Sequence, residues 1–149
     1  MSKLSIVILC IAFLVLIGTG CAVDKQIKIT TGKGMLMDNV GYSEASAGKT
    51  YLVLPLQFEN IGYESLDYNP WYCKVTVDNV QYNDAFIGYS LAQIGYPSLD
   101  DMVTLKDGGK IKGYMGFEVP KGTSTYEFVF EPLSFWGGYN IVYVKGEIQ

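Results

Sequence analysis

The charged chemistry of this 149-residue sequence is fifteen acidic side chains and eleven lysines, with no histidine and no arginine. The missing histidines exclude Ser-His-Asp and Cys-His nucleophile arrangements and zinc sites built on His and Cys clusters. Carboxylates remain. Asp100 and Asp101, with Asp107 further on, offer hard oxygens of the kind Ca²⁺ takes; the spacing is not that of an EF-hand, and a solvated acidic loop is the plainer reading. Glu127 and Glu131 stand four apart on one strand face. Paired carboxylates serve glycosidases, but on a strand they more often face water. Gly32-Lys33-Gly34 is no phosphate loop, because Lys33 is not followed by Ser or Thr. Cys73 alternates with Val75 and Val77 and reads as a small buried hydrophobe, with no His or Arg to lower its thiol pKa. The expectation is no catalytic residue, no cofactor and no enzyme.

Aromatic side chains are the other candidates. The sequence has 12 Tyr, 7 Phe and 2 Trp. Tyr63, Tyr68, Trp71 and Tyr72 cluster in one loop-to-strand region, and Phe135, Trp136 and Tyr139 in another. Loop aromatics can stack on sugars or anchor a protein partner, since they offer area at low entropic cost. The alternative is that the tryptophans plug the ends of a core and the tyrosines line half-buried strands.

These residues need a scaffold, and the N-terminus says where it sits. Lys3 precedes an apolar run from Leu4 to Ile17, and Gly18-Thr19-Gly20-Cys21 follows. A basic start, an apolar core and small residues before a cut site are the pattern of a secretory signal peptide. Gly-Thr-Gly-Cys resembles the lipobox of prokaryotic lipoproteins, in which the cysteine carries the lipid; Gly18 stands where that pattern prefers leucine. The resemblance implies a signal peptide over 1–20, lipid attachment at Cys21 and a short tether over 21–25. The alternative is an uncleaved anchor, since Leu4 to Val23 is 20 residues without charge and about 20 suffice to cross a bilayer. Both readings place the rest of the chain at the outer face of the membrane. Without residues 1–20, 129 residues remain, enough for one domain. Its 10 lysines against 15 acids give a net charge of −5. That excludes a basic face for nucleic acid and charge-driven docking on anionic lipid.

Period-two alternation runs through the remainder, 26–149. The expected strands are Gln26–Thr31, Lys49–Glu59, Trp71–Asp78, Val80–Tyr82, Lys110–Val119, one through Tyr126, Phe128 and Phe130, and Tyr139–Glu147, with possible pairing around Met35–Met37. In the second of these, Leu52, Leu54, Leu56 and Phe58 face inward. Pro55 lacks an N–H, which predicts an edge strand or a bulge. Asn60-Ile61-Gly62 and Asp78-Asn79 read as turns, and Ser90–Ile94 as one helical turn within a long connection from Asn83 to Leu99. Seven to nine short strands imply an all-β antiparallel sandwich behind an N-terminal helix.

Gly48-Lys49-Thr50-Tyr51 leading to Phe58-Glu59-Asn60-Ile61-Gly62, then Val77-Asp78-Asn79 with Tyr82, then Gly113-Tyr114-Met115-Gly116-Phe117-Glu118-Val119-Pro120 followed by Tyr126-Glu127-Phe128, together resemble the telokin-like family. These are immunoglobulin-like domains of unassigned function from bacterial and archaeal surface lipoproteins. The resemblance covers about Gln26 to Pro132. It implies an immunoglobulin-like β-sandwich on a tether and no catalytic residue. The expected role is a non-enzymatic binding module for an extracellular protein or glycan. A small-ligand or lipid carrier with an internal pocket and a structural envelope spacer are the alternatives.

Overall fold

The computed structural model describes residues 24–133 and 139–149. The signal segment 1–20, Cys21 with the first tether residues, and Phe135 and Trp136 lie outside the described residues. Twelve strands and one short helix run in the order β1 (Gln26–Thr31), β2 (Met35–Met37), β3 (Asn39–Val40), β4 (Ser43–Glu44), β5 (Lys49–Ile61), β6 (Ser65–Tyr68), a 3-10 turn (Pro70–Tyr72), β7 (Cys73–Val77), β8 (Val80–Asn83), α1 (Gly88–Gln93), β9 (Val103–Lys106), β10 (Lys110–Pro120), β11 (Thr125–Phe130) and β12 (Val142–Glu147).

Two four-stranded antiparallel sheets carry the fold. One has the order β1-β5-β10, with β2 also pairing β5; the other is β12-β11-β7-β8. Leu52, Leu54, Leu56 and Phe58 of β5 point into the space between them, as their alternation predicts, and meet Cys73, Val75, Phe128 and Phe130 of the facing sheet. The Phe58 ring lies 6.0 Å from Phe128 and 5.1 Å from Phe130, edge to face, a favoured aromatic geometry. Asp78 and Asn79 both take positive φ, 50° and 64°, which matches the two-residue hairpin turn whose twist suits antiparallel strands.

Several expectations need correction. β5 is not an edge strand: β1 and β2 flank it on one side and β10 on the other. Pro55 fits a central position because its carbonyl accepts from Gly32 N at 3.1 Å, so its nitrogen faces the same flank. On that flank β1 ends opposite Leu56 and β2 begins opposite Val53. The missing N–H falls in the gap. β5 also runs on to Ile61, through the expected turn. Asn60 is buried there because its amide donates to the Tyr63 and Leu105 carbonyls. The last strand starts at Val142 rather than Tyr139, and Trp71 precedes its strand instead of beginning it.

The outer face of the first sheet is covered too. Tyr51 and Val53, on the face opposite the inward leucines, bury against Val40, Ile87 and Leu91. The 84–102 connection lies on that face, and two glycines of β10 make room for it. A Cβ at Gly116 would meet Ile87 Cδ1 at 2.3 Å, and one at Gly113 would meet the Pro97 carbonyl at 2.7 Å. The helical turn within this connection begins two residues earlier than expected, at Gly88.

Both open sides between the sheets are stitched. On one, Gly34 donates to Glu147 O and accepts from Gln149 N, each at 3.0 Å. On the other, Asp84 bridges Phe117, and Ala85 N donates to Gly116 O at 2.8 Å. Each bridge occupies part of a strand edge that could otherwise template pairing with another chain.

Candidate functional site

The second of these seams carries two exposed aromatic residues in contact, Trp71 and Phe86. Trp71 sits in the 3-10 turn, whose first residue, Pro70, has its φ fixed by its ring. Asn69 Oδ1 accepts from Trp71 N at 3.0 Å and Asn69 O from Tyr72 N at 3.0 Å. Buried Pro70 leaves Trp71 directed outward, 70% exposed. Its ring lies 5.2 Å from that of Phe86, which is itself 53% exposed.

Phe86 is held at φ +53°, a left-handed conformation uncommon for a bulky residue. The restraint is Asp84, whose Oδ1 accepts from Phe86 N at 3.1 Å. Asp84 is in turn fixed by its bridge to Phe117 of β10. Tyr89 on α1 is 76% exposed. The β3–β4 turn bearing exposed Tyr42 docks on α1 through a 2.8 Å Ser43–Ser90 hydroxyl contact. Asn69 and Tyr72, which bracket Pro70 and Trp71 in sequence, line an open groove of about 250 Å³ with Asp67, Met102 and Thr104, and the Thr104 hydroxyl donates to Asp67 Oδ1 at 2.7 Å.

Beneath the aromatic pair lie carboxylates. Asp84 is 5% exposed, and its Oδ2 has no hydrogen-bond partner. Burial pushes its carboxyl up to about 6; the Phe86 amide opposes this and the charge of Asp100 adds to it. Asp100 is also raised, by desolvation first and Asp101 second, against a lowering contact from the Gly88 amide. The Asp100 carboxylate fills the space over Gly88 where a side chain would stand.

The sequence candidates separate. Tyr68 is core, not surface: it is 1% exposed, its hydroxyl donates to Leu99 O at 2.7 Å and its ring lies 4.9 Å from Phe58. Tyr72 is half-buried against Phe130. Tyr63 and Tyr139 pack edge to face at 5.0 Å, with the Tyr139 hydroxyl donating to Ser65 O at 2.7 Å, and form a separate contact. Trp71 alone of the described candidates lies in the exposed patch. Phe86, Tyr89, Tyr42 and Asp84 were not singled out from the sequence. One local signal existed for Phe86, an Asp two residues before it, the spacing of an Asx turn.

The weak metal grouping of Asp100, Asp101 and Asp107 does not assemble. Asp107 lies beyond the other end of β9, where its Oδ1 accepts from Gly62 N at 2.7 Å. Among the described residues no three His, Cys, Asp or Glu side chains form a metal-holding group. Cys73 is fully buried, and burial pushes its thiol far up, consistent with a packing role. Glu131 pairs with Lys74 at 3.0 Å.

No curated protein sequence matches this chain. Two solved structures share its fold. A candidate lipoprotein, ycdA of Bacillus subtilis subsp. subtilis str. 168, superposes with TM-score 0.63 at 16% identity, over 85% of this chain and 38% of its own. The yjhA protein of Bacillus subtilis superposes with TM-score 0.51 at 20% identity, over 86% of this chain and 93% of its own. This chain thus spans well under half the length of ycdA. At these identities the likeness is one of fold. With a family profile matching residues 21–141, the chain belongs to the family described as Domain of unknown function (DUF4352).

Proposed function

We propose that this is a lipoprotein of the outer membrane face, tethered through Cys21, whose immunoglobulin-like domain is a non-enzymatic module for recognising an envelope glycan. The observation that carries the recognition reading is the Trp71–Phe86 pair. Two large rings are held in contact and in water, one by a proline turn and the other by a strained backbone. Strain of this kind costs on the order of 1–3 kcal/mol and persists where surrounding structure enforces it. An exposed flat ring on the same turn as Asn69 and Tyr72, which line a groove bearing Asp67 and Thr104, suits a sugar, which offers an apolar face and hydroxyls together.

The tether reading is supported by Gly18-Thr19-Gly20-Cys21 after the apolar run and by the fold shared with a candidate lipoprotein. The strand orders β1-β5-β10 and β12-β11-β7-β8 support the immunoglobulin-like assignment. The carrier alternative loses ground because phenylalanine, leucine and valine side chains fill the space between the sheets.

Intact mass of membrane-extracted protein, wild type beside Cys21→Ser, tests the tether. A mass of residues 21–149 plus lipid, absent in the variant, is expected. A full-chain mass in both would make residues 4–23 a spanning anchor. Recognition is tested by retention of full-length protein on immobilised envelope polysaccharide. Trp71→Ala should weaken retention about tenfold or more, as central aromatic contacts do. Equal retention of wild type and variant would overturn the site.

A further inference from the structure

Two carboxylates converge on one turn beneath the aromatic pair. Asp84 grips the amide of Phe86 at 3.1 Å, and Asp100 reaches the amide of Gly88, two residues on. Asp84 Oδ2 is buried with nothing to bond. A buried carboxylate oxygen without a partner is costly, and native structures ordinarily satisfy it with a donor, a proton or a cation. Protein cations are lacking nearby in sequence. Segments 62–73 and 79–105, which build this seam, hold Glu64, Asp67, Asp84, Asp100 and Asp101 and no lysine.

We propose that Asp84 and Asp100 hold a divalent cation, Ca²⁺ in an extracellular setting, that ties the 84–88 turn to the 97–101 segment. Hard carboxylate oxygens suit Ca²⁺, which completes its shell with backbone carbonyls and water. With two carboxylates rather than three or four, the site belongs with weak extracellular modules, whose dissociation constants are about 0.1–1 mM. The sequence pointed to Asp100 but grouped it with Asp101 and Asp107. The partner is Asp84, which the topology supplies from the end of β8. This site does not depend on the glycan reading, since it needs neither Trp71 nor a sugar.

The test is thermal unfolding of the full-length protein in detergent micelles at pH 7.5, in CaCl₂, in MgCl₂ and in NaCl of matched ionic strength. Calcium at ten times its dissociation constant should raise the midpoint by roughly 3–6 °C; NaCl should not. Asp84→Asn keeps the acceptor for Phe86 N and removes the charge. It should fold and lose the calcium shift, as should Asp100→Asn. Trp71→Ala should keep the shift while weakening sugar retention, so the two proposals fail separately. No calcium shift in wild type up to 10-fold above about 1 mM would overturn the proposal, with Asp84 satisfied by a proton instead. A shift undiminished in Asp84→Asn would overturn it equally, placing the ion elsewhere.

Discussion

Asp84 sets the pH response at the scale of single residues. In the folded chain it holds its proton to about pH 6, and in the unfolded chain to about pH 4. Folding therefore takes up a proton between those values, and stability falls as pH rises from about 4 to about 6, then levels. Chemical unfolding of calcium-free protein across that range should show this slope, and Asp84→Asn should reduce it to the part that the raised Asp100 carboxyl contributes. At pH 7.5 the same variant should gain on the order of 1–2 kcal/mol, because a buried unpaired charge is gone. Phe86→Asn is the companion prediction. Asparagine tolerates positive φ better than phenylalanine, so stability should hold or rise by up to about 1 kcal/mol while sugar retention falls. Trp71 was singled out only as one of an aromatic cluster and was read as the first residue of a strand, whereas it lies in the proline turn before it. Tyr68 was misread because the four residues of β6 are too short a run for their alternation to mark an inward face. Asp84 could not be read at all, since its burial and its neighbour Asp100 follow from contacts sixteen residues apart in sequence.

Among elements, the 84–102 connection departs furthest from its sequence pattern. Alternation located β5, β7, β10 and β11 and their inward faces, because one face of each strand meets the facing sheet. It did not show that Tyr51 and Val53 bury on the other face. A period-two pattern marks one buried side, and a second cover arrives only through chain topology. The short strands β3, β4, β6 and β9 were unread for a related reason: two to four residues are too few for a period. The packing of the connection gives a prediction. Gly116→Val places a side chain where Ile87 Cδ1 stands and should lift the connection off the sheet. The expected cost is about 1–3 kcal/mol. Amide exchange should speed up over 85–99 while β7 and β11 stay protected. Unchanged exchange over 85–99 would mean that Ile87 is not what holds the segment down. Phe58→Ala, in the main core, should instead destabilise every strand together, by about 3–5 kcal/mol.

The described residues form two sheets joined along both sides, with the proposed recognition surface and the carboxylate pair on one seam and residues 147–149 on the other. The carboxylate charge, the exposed rings and the covering connection share one turn, so changes there should couple. Double substitution of Asp84 and Trp71 is expected to be non-additive for sugar retention if the turn positions the ring. The first strand after the tether has a mechanical consequence. β1 pairs with β5 through six residues, Gln26 to Thr31. Just beyond, Gly34 is clamped between Glu147 and Gln149 at the C-terminus. Tension along β1 from the membrane side therefore loads these pairs in parallel, as shear, rather than opening them one by one. With Cys21 lipidated as proposed, drag on the domain would load these pairs along the strand axis.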